Sequence, residues 1–134
     1  MPTAGPLILI VDDNLDAREM YGMYLQHQGF RWAEAVNGID AITQTHVEKP
    51  ALILMDATMP RMDGWEAIRR LREDPSMAEV PIVALSAYAF GDEPDRARNA
   101  GADLCLTKPC LPSQVGRVVR AMLLRRDVLA RPSA

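Results

Sequence analysis

The sequence predicts an α/β domain: one parallel sheet of five strands, with helices on both faces. Three observations lead there. The runs Leu7-Ile8-Leu9-Ile10-Val11, Leu52-Ile53-Leu54-Met55 and Val80 to Leu85 are apolar at nearly every position, as strands buried on both faces require. Segments with strand character alternate with segments of helical spacing five times along the chain, an order that demands parallel strands and right-handed crossovers. The apolar runs also stop on polar side chains, Asp12-Asp13, Asp56 and Ser86, which places those groups at the carboxyl edge where open α/β sheets bind ligands.

Each element has its own signal. The first strand is 7–11. Asn14 offers an N-cap, and Ala17, Met20, Tyr21, Tyr24 and Leu25 follow at the spacing of one helical face. Gly22 costs that helix roughly 1 kcal/mol relative to Ala, and Gly29 stops it. Phe30 to Ala35 alternates as a second strand. Asn37-Gly38 turns the chain into a helix over about Ile39 to Glu48, whose thin apolar face is Ala41, Ile42 and Val47. Pro50 closes it and the third strand follows over 51–55. After the loop 57–63, Gly64 opens a helix carrying Trp65, Ile68 and Leu71, ended by Pro75. Val80 to Leu85 is the fourth strand. The segment 90–100 is charged and rich in Ala, so it is expected to be the least firmly docked helix. Asp103–Leu106 is a short fifth strand. The last helix shows Leu111, Val115, Val118, Val119, Met122 and Leu123 on one side, with Arg125 and Arg126 near its C-terminal end, where cations suit the helix dipole.

Composition bounds the function. The chain has 134 residues, 49% hydrophobic and 25% charged, which fits one globular domain over 1–134 with a core at about 7–126 and short tails. A net charge of −3 does not suit a non-specific nucleic-acid binder. No apolar run approaches the roughly 20 residues of a membrane span, and the N-terminus lacks the charged and apolar regions of a secretory signal. A cytoplasmic location is therefore expected. Cys105 and Cys110 match no zinc spacing and are expected as reduced thiols.

The strand ends carry the chemistry. Asp12, Asp13, Asp56, Ser86 and Lys108 fall just after four different strands and share one sheet edge. Two carboxylates about 5 Å apart repel by roughly 3 kcal/mol at an effective dielectric near 20, so three together require cations. Lys108 supplies one charge, and a divalent ion brings the formal sum to zero. Oxygen ligands with room for water suit Mg²⁺. Asp56, alone at its strand end, is the best-placed nucleophile for an aspartyl phosphate, with Lys108, the Ser86 hydroxyl and backbone N–H groups after Asp56 acting on phosphoryl oxygens. Asp12 and Asp13 read as metal holders.

The chain resembles response-regulator receiver domains, the phosphoacceptor half of two-component signalling. The likeness covers about residues 7–126. It rests on Ile10-Val11-Asp12-Asp13, Met55-Asp56 with Met59-Pro60, Met62-Asp63-Gly64, Leu85-Ser86-Ala87 and Thr107-Lys108-Pro109, each weak alone and specific in this order. The resemblance implies the flavodoxin-like, doubly wound (βα)5 fold with strand order 2-1-3-4-5. It implies that Asp56 accepts a phosphoryl group from a sensor histidine kinase or histidine phosphotransfer protein. Asp13, Asp56 and the backbone carbonyl of Thr58 would bind Mg²⁺ directly, and Asp12 through water. Ser86 would follow the phosphoryl group, Lys108 would pair with it, and the Lys108-Pro109 bond would be cis. The output would be a shift between two conformations read by an unidentified protein target, with no nucleic acid contacted directly.

The chain departs from the family at two places. Members usually carry Tyr, Phe or His three residues before the Lys, where this chain has Cys105, and a large apolar group after the Lys-Pro pair, where it has Cys110. The aromatic swing is expected to be absent, or taken over by Tyr88 or Phe90. Competing functions are a receiver that serves as a phosphorylation-independent scaffold and a phosphatase with an Asp nucleophile. The full acidic set opposes the first. Thr58, standing where such phosphatases carry a second Asp, opposes the second. A flavin carrier of the same fold class would need a hydroxyl-rich loop where Asp12 and Asp13 stand.

Overall fold

The computed structural model describes residues 5–59, 62–87 and 93–130. The elements are β1 (Leu7–Val11), α1 (Leu15–His27), β2 (Arg31–Ala35), α2 (Gly38–Val47), β3 (Leu52–Asp56), α3 (Gly64–Glu73), a 3-10 turn (Pro75–Met77), β4 (Ile82–Ser86), α4 (Glu93–Ala100), β5 (Leu104–Thr107) and α5 (Pro112–Ala130). All strand pairs are parallel, in the order β2-β1-β3-β4-β5. This is the doubly wound order that the resemblance implied.

The pleat divides the core in two. Leu9 and Val11 of β1, Ile53 and Met55 of β3, and Ile82 and Ala84 of β4 pack with Ala41 of α2, Trp65, Ile68 and Leu71 of α3, and Ala97 and Ala100 of α4. The intervening residues, Ile8, Ile10, Leu52, Leu54, Val83 and Leu85, pack with Tyr21 and Leu25 of α1 and Val115, Val119 and Leu123 of α5. Side chains alternate across a strand, so only a strand apolar at every position can feed both layers, as these three do. Each such Leu or Ile stabilises the fold by about 1.5–3 kcal/mol through burial.

Several boundaries and faces differ from expectation, each for a local reason. β4 begins at Ile82 rather than Val80 because Pro81 has no N–H to give the ladder; its carbonyl still accepts from Ile53 N–H at 2.9 Å. β2 begins at Arg31, since the Phe30 N–H is spent on the Leu25 carbonyl at the end of α1. β5 runs Leu104–Thr107, because Asp103 turns its carboxylate back to accept the Ile82 N–H and an Arg72 N–H, both at 2.8 Å. α5 continues past Arg126 to Ala130, and Leu111 lies before it, exposed. On α1 the buried stripe is Arg18, Tyr21, Gly22 and Leu25, and Met20 is exposed. On α2 Val47 is exposed while Thr45 is buried, its hydroxyl donating to the Ile42 carbonyl at 2.7 Å.

Gly22 has a packing role that offsets its helix penalty. A Cβ there would overlap the Trp32 indole, whose Nε1 donates to Gln26 Oε1 at 3.1 Å. Trp65 is a buried packing residue. His27 and His46 are exposed. Cys105 and Cys110 are not joined in a disulfide and lie on opposite layers of the core, and burial pushes the Cys110 thiol up from its ordinary pKa. Tyr88 and Phe90 lie outside the described residues, as do Pro60 and the segment 88–92. No described helix is long and apolar enough to cross a membrane.

Candidate functional site

Register brings the acids together. Val11 pairs with Met55, so Asp12, one residue on, stands beside Asp56. In the alternation, both continue the residues that face α1 and α5. Asp12 and Asp56 are buried and Asp13 is exposed. One carboxylate oxygen from each of the three lies within 4.8 Å of the others. Lys108 reaches in from the end of β5. Its Nζ lies 3.2 Å from Asp56 Oδ1 and 3.7 Å from Asp12 Oδ2. Thr58, Ala87, Asn14 and Met20 complete the cleft wall, which gives Met20 its place on the solvent side of α1.

Backbone donors fix the two buried carboxylates. Thr58 N–H donates to Asp56 Oδ1 at 3.0 Å, and Asn14 N–H donates to Asp12 Oδ1 at 2.9 Å. Asn14 in turn caps α1 by accepting the Ala17 N–H at 2.9 Å, so the helix start and the acid are one turn of chain. The Asp12 N–H donates to the Ala35 carbonyl at 3.1 Å. Burial raises the Asp12 carboxyl above the ordinary carboxylate range. The Asn14 N–H and Lys108 oppose that shift, and Asp56 and Asp13 add to it.

Lys108 is set by its neighbours in the chain. Its N–H donates to the Ser86 carbonyl at 2.7 Å, the Lys108-Pro109 peptide is cis, and the Tyr21 hydroxyl donates to the Cys110 carbonyl at 2.8 Å. Ser86 closes β4, fully buried. The alternation on β4 puts it in line with Ile82 and Ala84, on the α2–α4 side. The structure therefore brings Asp12, Asp13, Asp56, Thr58 and Lys108 to one cleft, with Ser86 tied in through its backbone.

Two contributors were not legible as site residues. Gly64 starts α3 directly against the end of β3, its N–H donating to the Ala57 carbonyl at 3.0 Å. A Cβ on it would overlap the Asp56 carbonyl oxygen and lie 2.6 Å from the Ala57 Cα. Backbone cannot yield as a side chain can, so Gly64→Ala is expected to lower stability by about 1–3 kcal/mol; thermal denaturation of the purified variant measures it, and an unchanged Tm contradicts the close approach. Arg18 is the other. It donates through Nη1 to the Asp12 carbonyl at 2.8 Å and through Nε to Glu34 Oε1 at 2.9 Å. The available signal was an arginine standing in the apolar stripe three residues before Tyr21.

Three acids and one amine can do little unaided beyond repel and pair. Their donor set, hard oxygens with one half-buried lysine, fits a hard dication such as Mg²⁺ and a phosphorylated carboxylate. Comparison with known proteins agrees with this chemistry. An uncharacterized 14.6 kDa protein from the sodA1 3' region of Leptolyngbya boryana is 37% identical over 117 residues, covering 87% of this chain and 89% of that protein. The phosphate regulon transcriptional regulatory protein PhoB of Pseudomonas aeruginosa is 36% identical over 121 residues, covering 90% of this chain and 53% of PhoB. The chain spans about half the length of the transcriptional regulators it matches. The receiver domain of the sensor histidine kinase PA1611 from Pseudomonas aeruginosa, solved with magnesium coordinated in its active-site cleft, superposes with a TM-score of 0.82 at 30% identity, over 90% of this chain and 98% of that one. The response regulator receiver domain model matches residues 8–120, a span that runs from β1 to the middle of α5 and takes in all three clustered acids and Lys108, so the chain belongs to the receiver domains of two-component response regulators.

Proposed function

We propose that this receiver takes a phosphoryl group on Asp56, in the presence of Mg²⁺, from the phosphohistidine of a sensor kinase or a histidine phosphotransfer protein. The observation that carries the reading is a buried carboxylate at the tip of β3 with an ammonium 3.2 Å away and two further acids beside it. A carboxylate in that setting is both a charge to be neutralised and an oxygen nucleophile.

The Thr58 N–H and Lys108 Nζ both contact Oδ1 of Asp56, and Oδ2 has no partner among the described residues, so we assign Oδ2 to the attack. The new bond runs from Oδ2 to phosphorus. The phosphorus–nitrogen bond to imidazole breaks, its electron pair leaves with the ring, and the ring takes a proton from water. Lys108 then pairs with a phosphoryl oxygen, and the Ser86 hydroxyl turns toward the cleft to donate to it. The residues that would hold Mg²⁺ are Asp13, Asp56 and the Thr58 carbonyl directly, with Asp12 through water. Bound there, the ion would neutralise charge on the phosphoryl oxygens during transfer. The magnesium coordinated in the active-site cleft of the PA1611 receiver supports a magnesium site in this cleft.

The remaining parts follow the same reading. The chain is one receiver domain over 1–134, its own chemistry is limited to gaining and losing the phosphoryl group, and its output is a conformational shift read by a downstream protein. Its place is the cytoplasm, where kinase and target meet it, with no direct contact to nucleic acid and no membrane insertion. Incubation with a small acyl-phosphate donor and Mg²⁺ is expected to label the wild type and leave Asp56→Asn unlabelled, read by intact mass; equal labelling of the two refutes the assignment.

A further inference from the structure

We propose that Arg18 is a positioning residue for the metal site: its guanidinium locks the peptide between Asp12 and Asp13 and so sets the direction in which the Asp13 carboxylate leaves the chain. The inference rests on the Mg²⁺ reading above. The Arg18 side chain is 10% exposed, against 43% for Glu34, its ion-pair partner. A cation withdrawn from water is costly unless its donors are used. Here Nε is used on Glu34 and Nη1 on the Asp12 carbonyl. That carbonyl and the Asp13 N–H belong to a single planar group, so gripping the oxygen fixes the whole plane.

The rest of the acidic pair is unevenly held. Asp12 is anchored through its N–H to Ala35, through Oδ1 to Asn14 and through Oδ2 to Lys108. The Asp13 carboxylate has no hydrogen-bond partner among the described residues, so only its backbone aims it. Arg18 supplies that aim from α1, and Glu34, opposite Ile10 in the β1–β2 register, holds the guanidinium plane. The planar fork matters here. A lysine keeps the charge but cannot donate along two fixed directions.

The sign of the effect separates positioning from simple charge. A positive group beside the site repels a dication, so on charge alone losing Arg18 would tighten Mg²⁺ binding and the charge-keeping Arg18→Lys would leave it unchanged. Positioning predicts weaker binding, and groups that orient metal ligands typically carry 10–100-fold in affinity.

Calorimetric titration of Mg²⁺ into the full chain tests this on wild type, Asp13→Ala, Arg18→Lys and Glu34→Gln. Arg18→Lys is expected to weaken binding about tenfold and the half-exposed Glu34→Gln about threefold. Wild-type affinity in Arg18→Lys, with Asp13→Ala failing to bind, overturns the positioning role and leaves the Mg²⁺ reading standing, and so does tighter binding in Arg18→Lys. If Arg18→Lys does not fold, Glu34→Gln decides alone, and unchanged affinity there overturns the proposal. A wild type that takes up no Mg²⁺ sinks both readings together.

Discussion

Mg²⁺ is expected to stabilise the wild type, and Asp13→Ala is expected to abolish that gain. A ligand held only by the folded state stabilises it by about 2.7 kcal/mol at a hundredfold excess over Kd. For a chain of this length that raises Tm by about 8–14 °C. The expectation comes from charge. Three carboxylate oxygens within 4.8 Å of one another are answered, among the described residues, by a single ammonium, so the metal-free fold keeps repulsion that a dication would remove. Asp13 is the exposed member, and removing it takes away a ligand without opening a cavity in the core. The metal-free variant should melt no lower than the metal-free wild type, because a repelling charge has gone. Differential scanning calorimetry with and without Mg²⁺ on both proteins measures the four values. A Mg²⁺ shift in Asp13→Ala as large as that in the wild type contradicts the assignment of that carboxylate.

Lys108→Met carries the second large effect, with the opposite sign in the metal-free protein. The ammonium lies 3.2 and 3.7 Å from two buried carboxylates. Removing one partner of a fully buried pair costs about 3–5 kcal/mol. The Lys108 side chain is 33% exposed, and solvent at that end weakens the pair, so about 1–3 kcal/mol is expected. Methionine keeps most of the aliphatic stem, which confines the loss to charge. The deficit should shrink in Mg²⁺, since the dication would supply the missing positive charge. Urea denaturation of wild type and variant, with and without Mg²⁺, reads both quantities. Equal stability of the two metal-free proteins contradicts the role of Lys108 as counter-ion.

The features that were legible in the sequence are those that depend on the chain locally. Five strand–helix alternations and apolar runs ending on Asp12-Asp13, Asp56 and Ser86 fix both the sheet and the edge where the acids meet, because period and burial determine which residue ends a strand. Contacts between residues far apart in sequence were not legible. Arg18 stands in the apolar stripe three residues before Tyr21, but its acceptors, the Asp12 carbonyl and Glu34, are revealed only once α1 is docked and β2 lies beside β1. Arg72 was opaque for the same reason: its guanidinium gathers the carbonyls of Gly101, Met77 and Val80 together with Asp103, joining three segments at the amino edge of the sheet. Gly64 was visible as a helix start, but its closeness to the Asp56 carbonyl requires α3 to be docked. Met20 and Val47 were misplaced because helical spacing alone does not say how wide the buried face is. On α1 that face is narrowed by Arg18 and Gly22, and on α2 by Thr45.

The proposed phosphotransfer makes one covalent bond, between phosphorus and the carboxylate at the tip of β3. Reduction of the phosphorylated chain with borohydride converts an aspartyl phosphate to homoserine, and peptide mapping locates the product. Homoserine at position 56, formed only when Mg²⁺ accompanied the phosphodonor, is the predicted result. Homoserine at position 12 or 13 in place of 56, or none at all from a folded protein, would contradict it.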